Sequence, residues 1–217
     1  MTVNTELIVL HTTRFGENSI VVHTLSKDYG RRSFLVRGAG KKNGMSLFLP
    51  LTLLEADIVE SSRSSLYTAR NLVSRHPLLG IRNNVYKNSI TMFMSEVLFR
   101  VLKEGSNEQG LYEWCERSIL LLDAVDADFS NFHIRFLLEL SQALGFRPAM
   151  EDLRPFAGDI CHVADRFMSL PFAESMLIPL NGTLRSEMAE AVLRYLEYHT
   201  DSSLNVRSLK VLHELFI

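Results

Sequence analysis

The stretch Ser19-Ile20-Val21-Val22-His23-Thr24-Leu25, followed by Lys27-Asp28-Tyr29-Gly30 and then Arg31-Arg32-Ser33-Phe34-Leu35-Val36-Arg37, decides the fold of the front of this chain. Its first run is rich in the β-branched residues that suit a pleated surface. Gly30 supplies the positive φ that a tight reversal needs, and the run after it returns as a strand. Together they predict a β-hairpin turning at 27–30. Alternation places Arg31, Ser33, Leu35 and Arg37 on one face of the returning strand, with Arg32, Phe34 and Val36 on the other.

Working outward, Leu7-Ile8-Val9-Leu10 reads as a strand before the hairpin, and Gly38-Ala39-Gly40-Lys41-Lys42-Asn43-Gly44 as a flexible basic loop after it. Pro50 to Val59 and Ser65 to Val73 supply a fourth and a fifth strand. Five short strands with a long loop after the third fit a Greek-key barrel of the OB type, although a small open β-sandwich has similar periodicity. From about residue 80 the apolar spacing becomes helical. Ile90, Phe93, Met94, Val97, Leu98, Val101 and Leu102 mark one helix, with Gly105 as its stop. Further helices are expected at Leu111 to Leu122, Phe132 to Leu144, Leu184 to Leu196 and Leu209 to Leu215. Residues 146–180 hold four of the six prolines and are expected to be irregular. The predicted class is α+β: an OB-type barrel over residues 1–78, then an all-α domain over 79–217, divided near Arg75-His76-Pro77.

The formal net charge of −2 hides a division. Residues 1–76 carry ten Lys and Arg against six Asp and Glu; the remainder carries thirteen against nineteen. A basic front on an acidic back favours a polyanion as partner of the front. Nothing in the sequence approaches the ~20 apolar residues of a membrane span, and the N-terminus lacks a signal-peptide pattern. Two cysteines cannot build a disulfide framework, so reduced thiols and a cytoplasmic location are expected.

Chemical motifs are scarce. Gly38-Ala39-Gly40-Lys41-Lys42 lacks the upstream glycine of a phosphate loop, since Leu35 stands there, and lacks the Ser or Thr after the lysine. The seven histidines show no i, i+4 pair, and Cys161-His162 has no second pair to complete a zinc site. Cys115, beside Trp114 on a helix, reads as a buried inert thiol. No catalytic residue and no cofactor is assigned. The basic residues carry the sharper reading: Arg31 and Arg37 on an outer strand face, with Lys41 and Lys42 nearby and Arg32 beside them, would neutralise backbone phosphates. Tyr29 and Phe15 are placed to stack on bases; for Tyr29 the alternative is a turn residue that covers the barrel end. Phe34 belongs to the core.

The front segments Leu7-Ile8-Val9-Leu10, Gly16-Glu17-Asn18-Ser19-Ile20-Val21 and Val36-Arg37-Gly38-Ala39 resemble the RecO family of bacterial recombination mediators. So do Phe132-His133-Ile134-Arg135-Phe136-Leu137, Leu144-Gly145-Phe146-Arg147-Pro148 and the tail around Arg194-Tyr195-Leu196 and Arg207-Ser208-Leu209. These segments span nearly the full length in the family's order. The resemblance implies an OB-fold and a helical domain, binding and annealing of single- and double-stranded DNA, and partnership with RecR. Together with RecR, such a protein helps load RecA onto DNA coated by single-strand binding protein. It further implies that the helical domain recognises the acidic, aromatic tail of single-strand binding protein; Arg135 and then Arg117 are the candidate cations, with an ordinary helix salt bridge as the alternative for Arg135. Many members bind zinc after the Leu144–Pro148 motif; here only Cys161 lies in that stretch. The competing reading is a protein–protein adaptor whose barrel binds no nucleic acid; an RNA-binding factor and a metal-free hydrolase have less support.

Overall fold

The computed structural model describes residues 1–38, 45–61, 64 and 66–216. Its front is a closed barrel in the order β1-β2-β3-β5-β4. The strands are β1 (Thr2–Phe15), β2 (Ser19–Ser26), β3 (Gly30–Arg37), β4 (Leu53–Val59) and β5 (Tyr67–Ser74), with a 3-10 turn at Met45–Phe48. This is the OB-type barrel expected from the strand pattern. β1 closes it because one long strand is used twice. Thr2 to Ile8 pair with β4, and Leu7 to Phe15 pair with β2. Leu10 is the extra residue at a bulge between Val9 and His11, and bulges bend and twist a strand. A second irregularity faces Ala56, where Asn71 of β5 takes φ 52°. Asparagine tolerates that left-handed region, and the Asn71 amide donates to the Asp57 carboxylate at 2.7 Å. Asn71 and then Asn4 hold the Asp57 carboxyl below the usual range.

Alternation fills the barrel. Val22, Phe34, Val36, Leu54 and Ile58 meet in its core, and Phe34 is fully buried. Burying such a ring is worth about 2–3 kcal/mol. The β3–β5 pairing is parallel and short, covering only Phe34 with Tyr67 and Leu35 with Thr68. The first half of β3 is therefore left with an edge, and residues 104–106 cover it. The Arg31 N–H donates to the Ser106 carbonyl at 2.7 Å, and the Gly105 N–H to the Arg31 carbonyl at 2.8 Å. The Ser33 N–H reaches the Glu104 carboxylate at 2.7 Å. Gly30 is required here twice over: its φ is 61°, and a Cβ would lie 2.2 Å from the Ser106 carbonyl oxygen. The compact barrel unit accordingly comprises Met1–Leu79 with Leu102–Ile119. Arg75, beyond the end of β5, ties it further by pairing with Glu6 at 3.0 Å and with Glu116.

The second unit comprises Gly80–Val101 with Leu120–Ile217. In chain order the helices of the protein are α1 (Leu79–Arg82), α2 (Val85–Val101), α3 (Leu111–Ala124, of which Leu111–Ile119 belongs to the barrel unit), α4 (Phe132–Ala143), α5 (Met150–Ala157), α6 (Cys161–Ser169), α7 (Phe172–Met176), α8 (Gly182–Thr200) and α9 (Ser208–Leu215). Residues 146–180, expected to be irregular, are mostly helical. Pro148 and Pro179 lie outside these helices and Pro171 is an N-cap, positions a proline tolerates. Only Pro155 sits within a helix, the short α5.

Two features organise this unit. The Glu96 carboxylate, on α2, caps α9: it accepts from the Arg207 N–H at 3.1 Å, the Ser208 N–H at 3.0 Å and the Ser208 hydroxyl at 2.7 Å. Burial opposes its charge, but these bonds and that from Arg100 prevail and lower its pKa. His133, on α4, is buried edge-on to Phe93 and stacked on Phe216, with centroids 5.8 and 6.3 Å away. Burial, and then the Arg185 charge, push its pKa down to about 3. Among the described residues, no helix is long and apolar enough to cross a membrane.

Candidate nucleic-acid interface

The cross-strand register sorts the barrel's side chains into faces. Thr12, Val22 and Phe34 form a core row; the next rows, Thr13–Val21–Leu35 and His11–His23–Ser33, point the other way, as does Phe15–Ser19–Arg37. Arg37 is exposed at the end of β3 on this outer face. Arg70 is also exposed and lies two residues beyond Thr68, as Arg37 lies two beyond Leu35, the partner of Thr68. Both cations therefore point out of the barrel. Arg14, on the β1–β2 hairpin, is exposed too.

Not every expected contact lies there. Arg31 has the outer parity, but it is buried to 4% and paired with Glu104 at 2.8 Å. Its guanidinium holds the 104–106 segment to β3, so the expectation that it shares an open face with Arg37 is corrected. Only the tertiary cover, invisible in strand alternation, removes it from solvent. Burial also lowers the Arg31 pKa, with Glu104 opposing. Arg32 has the inner parity and sits half-buried, its guanidinium 4.6 Å from the Tyr67 ring centroid. Tyr29 packs edge-on against Phe34 and Tyr67, at 5.9 and 6.2 Å, and donates to the Glu60 carboxylate at 3.1 Å. Burial and then Glu60 push its hydroxyl up to about 12. It covers the barrel end, the alternative weighed for it. Lys41 and Lys42 lie outside the described residues.

A polar chain runs along the outer face. His23 Nε2 is 3.0 Å from the Thr13 hydroxyl, and its Nδ1 is 2.8 Å from the Ser33 hydroxyl. Ser33 in turn donates to Glu104 at 2.9 Å. Burial first, then Arg31 and His11, depress the His23 pKa, which favours the neutral ring. Cys115 is fully buried, and burial raises its thiol pKa, as expected of an inert cysteine. The 102–119 segment adds four Glu against one Lys and one Arg, which reduces the positive excess of the barrel unit.

The two candidate cations for a partner peptide separate. Arg117 is exposed, but it belongs to the barrel unit. Arg135 is turned inward within the helical unit: it pairs with Glu139 at 2.5 Å and donates to the carbonyls of Phe167 and, at 3.1 Å, Leu170. It ends α6 by satisfying carbonyls that a helix terminus leaves free. The Glu139 pairing is the ordinary helix salt bridge named as the alternative for Arg135, whereas carbonyls 32 and 35 residues away leave no mark on helical spacing. In the stretch where the resemblance would place zinc, Cys161 is buried and the His162 ring contacts the Asp159 carbonyl at 2.5 Å. Among the described residues no three His, Cys, Asp or Glu side chains converge as metal ligands. One thiol does not furnish a zinc site, and the residues present do not fit the metal.

Arg14 and Arg70 were not singled out from the sequence. Thr68–Arg70 alternation gave the signal for Arg70, since a strand face that starts polar stays outward.

Residues 1–76 match the family model described as Recombination protein O N terminal, and residues 82–153 match Recombination protein O C terminal. The DNA repair protein RecO of Phocaeicola vulgatus is 37% identical over 150 residues, which span 68% of this chain and 62% of that protein, less than two thirds of its length. That of Bacteroides fragilis is 28% identical across 96% of this chain and 97% of its own. That of Azobacteroides pseudotrichonymphae is 25% identical across the whole of both. With two models of one family matching residues 1–76 and 82–153, and relatives aligned from end to end, the chain belongs to the RecO family, whose curated members are named DNA repair proteins.

Proposed function

We propose that this protein is a DNA repair and recombination mediator that binds single- and double-stranded DNA and anneals complementary strands. With RecR it helps load RecA onto single-stranded DNA coated by single-strand binding protein, acting in the cytoplasm on the nucleoid. The observation that carries this reading is a closed OB-type barrel whose outer face presents Arg37 and Arg70, with Arg14 on the adjoining hairpin. Lys41 and Lys42 extend the same basic stretch of chain past Arg37. Cations on such a face neutralise phosphates on two strands, lower their repulsion and let bases pair; no bond is made or broken by the protein itself.

Arg31 now serves this face indirectly, and Arg32 and Tyr29 support the barrel end. The helices are the proposed place of partner contact, including the acidic tail of single-strand binding protein. Arg117, exposed on α3 in the barrel unit, remains a candidate cation for that tail, whereas Arg135 is occupied internally.

A titration of the full chain with fluorescent DNA across salt concentration tests the proposal. Affinity falls with rising salt, with a log–log slope of about −0.9 for each duplex phosphate neutralised. Arg37→Glu combined with Arg70→Glu weakens binding and flattens that slope. A salt response already flat in the unaltered protein, or binding indifferent to both reversals, refutes the assignment and favours the protein–protein adaptor.

A further inference from the structure

β1 carries His11, Thr13 and Phe15 at alternate positions, so all three project from the same outer face. All three are exposed, Phe15 to 55%. Phe15 pairs with Ser19, and Ser19 with Arg37, which sets an aromatic ring and a cation in one cross-strand row. Toward the barrel, the His11 ring lies on that of His23, with centroids 5.7 Å apart and planes within 23°. His23 is held by Thr13 and Ser33 on its two nitrogens, so the plane behind His11 is fixed. Four strand positions separate Phe15 from His11, about 13 Å. Flat side chains spaced along one exposed strand beside a cation match an extended chain of unpaired bases. Paired bases are already stacked on each other and have no free face to offer.

We propose that Phe15 and His11 are base-stacking residues and that single-stranded nucleic acid is the preferred ligand of this face, with Arg37 meeting its phosphates. The inference rests on the nucleic-acid reading of the barrel and assigns it a specificity. Stacking and charge neutralisation leave different marks: phosphate contacts release counterions and set the salt slope, whereas stacking contributes affinity without changing it.

The test uses the full chain with a fluorescent oligothymidylate and with a duplex of the same length. Phe15→Ala should weaken single-strand binding about tenfold, within the range for one stacked base. Its salt slope and its duplex affinity should match the unaltered protein. Phe15→Trp should restore the loss, and His11→Ala should give a smaller loss of the same kind. Arg37→Ala should weaken both ligands and reduce the single-strand slope by about 0.7. Single-strand affinity unchanged in Phe15→Ala, or an equal loss on both DNAs, overturns the stacking assignment while the Arg37 result still supports DNA binding. Failure of the unaltered protein to bind either DNA overturns the underlying reading as well. Phe15 sits on an exposed hairpin, and circular dichroism of each variant verifies that the barrel is intact.

Discussion

Lowering the pH should destabilise the helical unit through His133, and replacing that residue by Phe should remove that contribution. The ring is enclosed by Phe93 and Phe216 and titrates at about 3, against an unfolded value near 6.5. A group whose folded pKa is depressed binds its proton more readily when unfolded. The stability tied to its neutral form is therefore complete above about pH 6.5 and is lost as pH falls toward about 3. At 1.36 kcal/mol for each pH unit, the loss reaches about 2 kcal/mol by pH 5 and about 3 kcal/mol by pH 4. Urea unfolding at pH 7.5, 5 and 4, followed by far-ultraviolet circular dichroism, gives the comparison. His133→Phe keeps a flat ring in the site and removes the proton acceptor, so its unfolding free energy should fall less with acid, by about 2 kcal/mol at pH 5. The difference between the two proteins cancels the carboxylates common to both. Parallel pH profiles, or an unaltered protein that gains stability between pH 6.5 and 5, would refute the placement of this ring in an apolar enclosure.

Glu96→Ala removes the acceptor of three bonds at the start of α9 and should cost about 2 kcal/mol, with faster hydrogen exchange concentrated at residues 208–212. An unchanged exchange pattern there would show that α9 is held by other contacts. Gly30→Ala meets both a left-handed φ and the Ser106 carbonyl, and a loss of about 3 kcal/mol in denaturant unfolding is expected, whereas Gly16→Ala, with φ 70° and open space around it, should lose only about 1 kcal/mol.

The barrel was legible because, within each strand, the inner face follows the two-residue period, as in Phe34–Val36 of β3 and Leu54–Ala56–Ile58 of β4. The long helices were legible for the corresponding reason at a spacing of three and four. What alternation cannot see is a cover supplied from elsewhere in the chain. Arg31 and Arg37 share a parity, yet one is buried against Glu104, 73 positions away, and the other is exposed. Tyr29 could be read as platform or plug, and only the positions of Tyr67 and Glu60 decide between them. Four prolines make residues 146–180 read as irregular, yet three of them lie outside or at the ends of helices, where position matters more than number. Arg135 shows the same limit: its helix partner is four residues away and readable, while the carbonyls that occupy it are not.

The cover over β3 also bears on how the protein is made. The five strands leave the ribosome before Ser106 does, so the nascent barrel has its β3 edge unpaired while more than thirty further residues emerge. Such an edge invites pairing with other extended chains until its own segment arrives. A truncation before residue 104 should then be more prone to aggregate in the cell than its hydrophobic core alone suggests. The smallest autonomous piece of this protein would be drawn by that late-arriving segment, not by the end of the fifth strand.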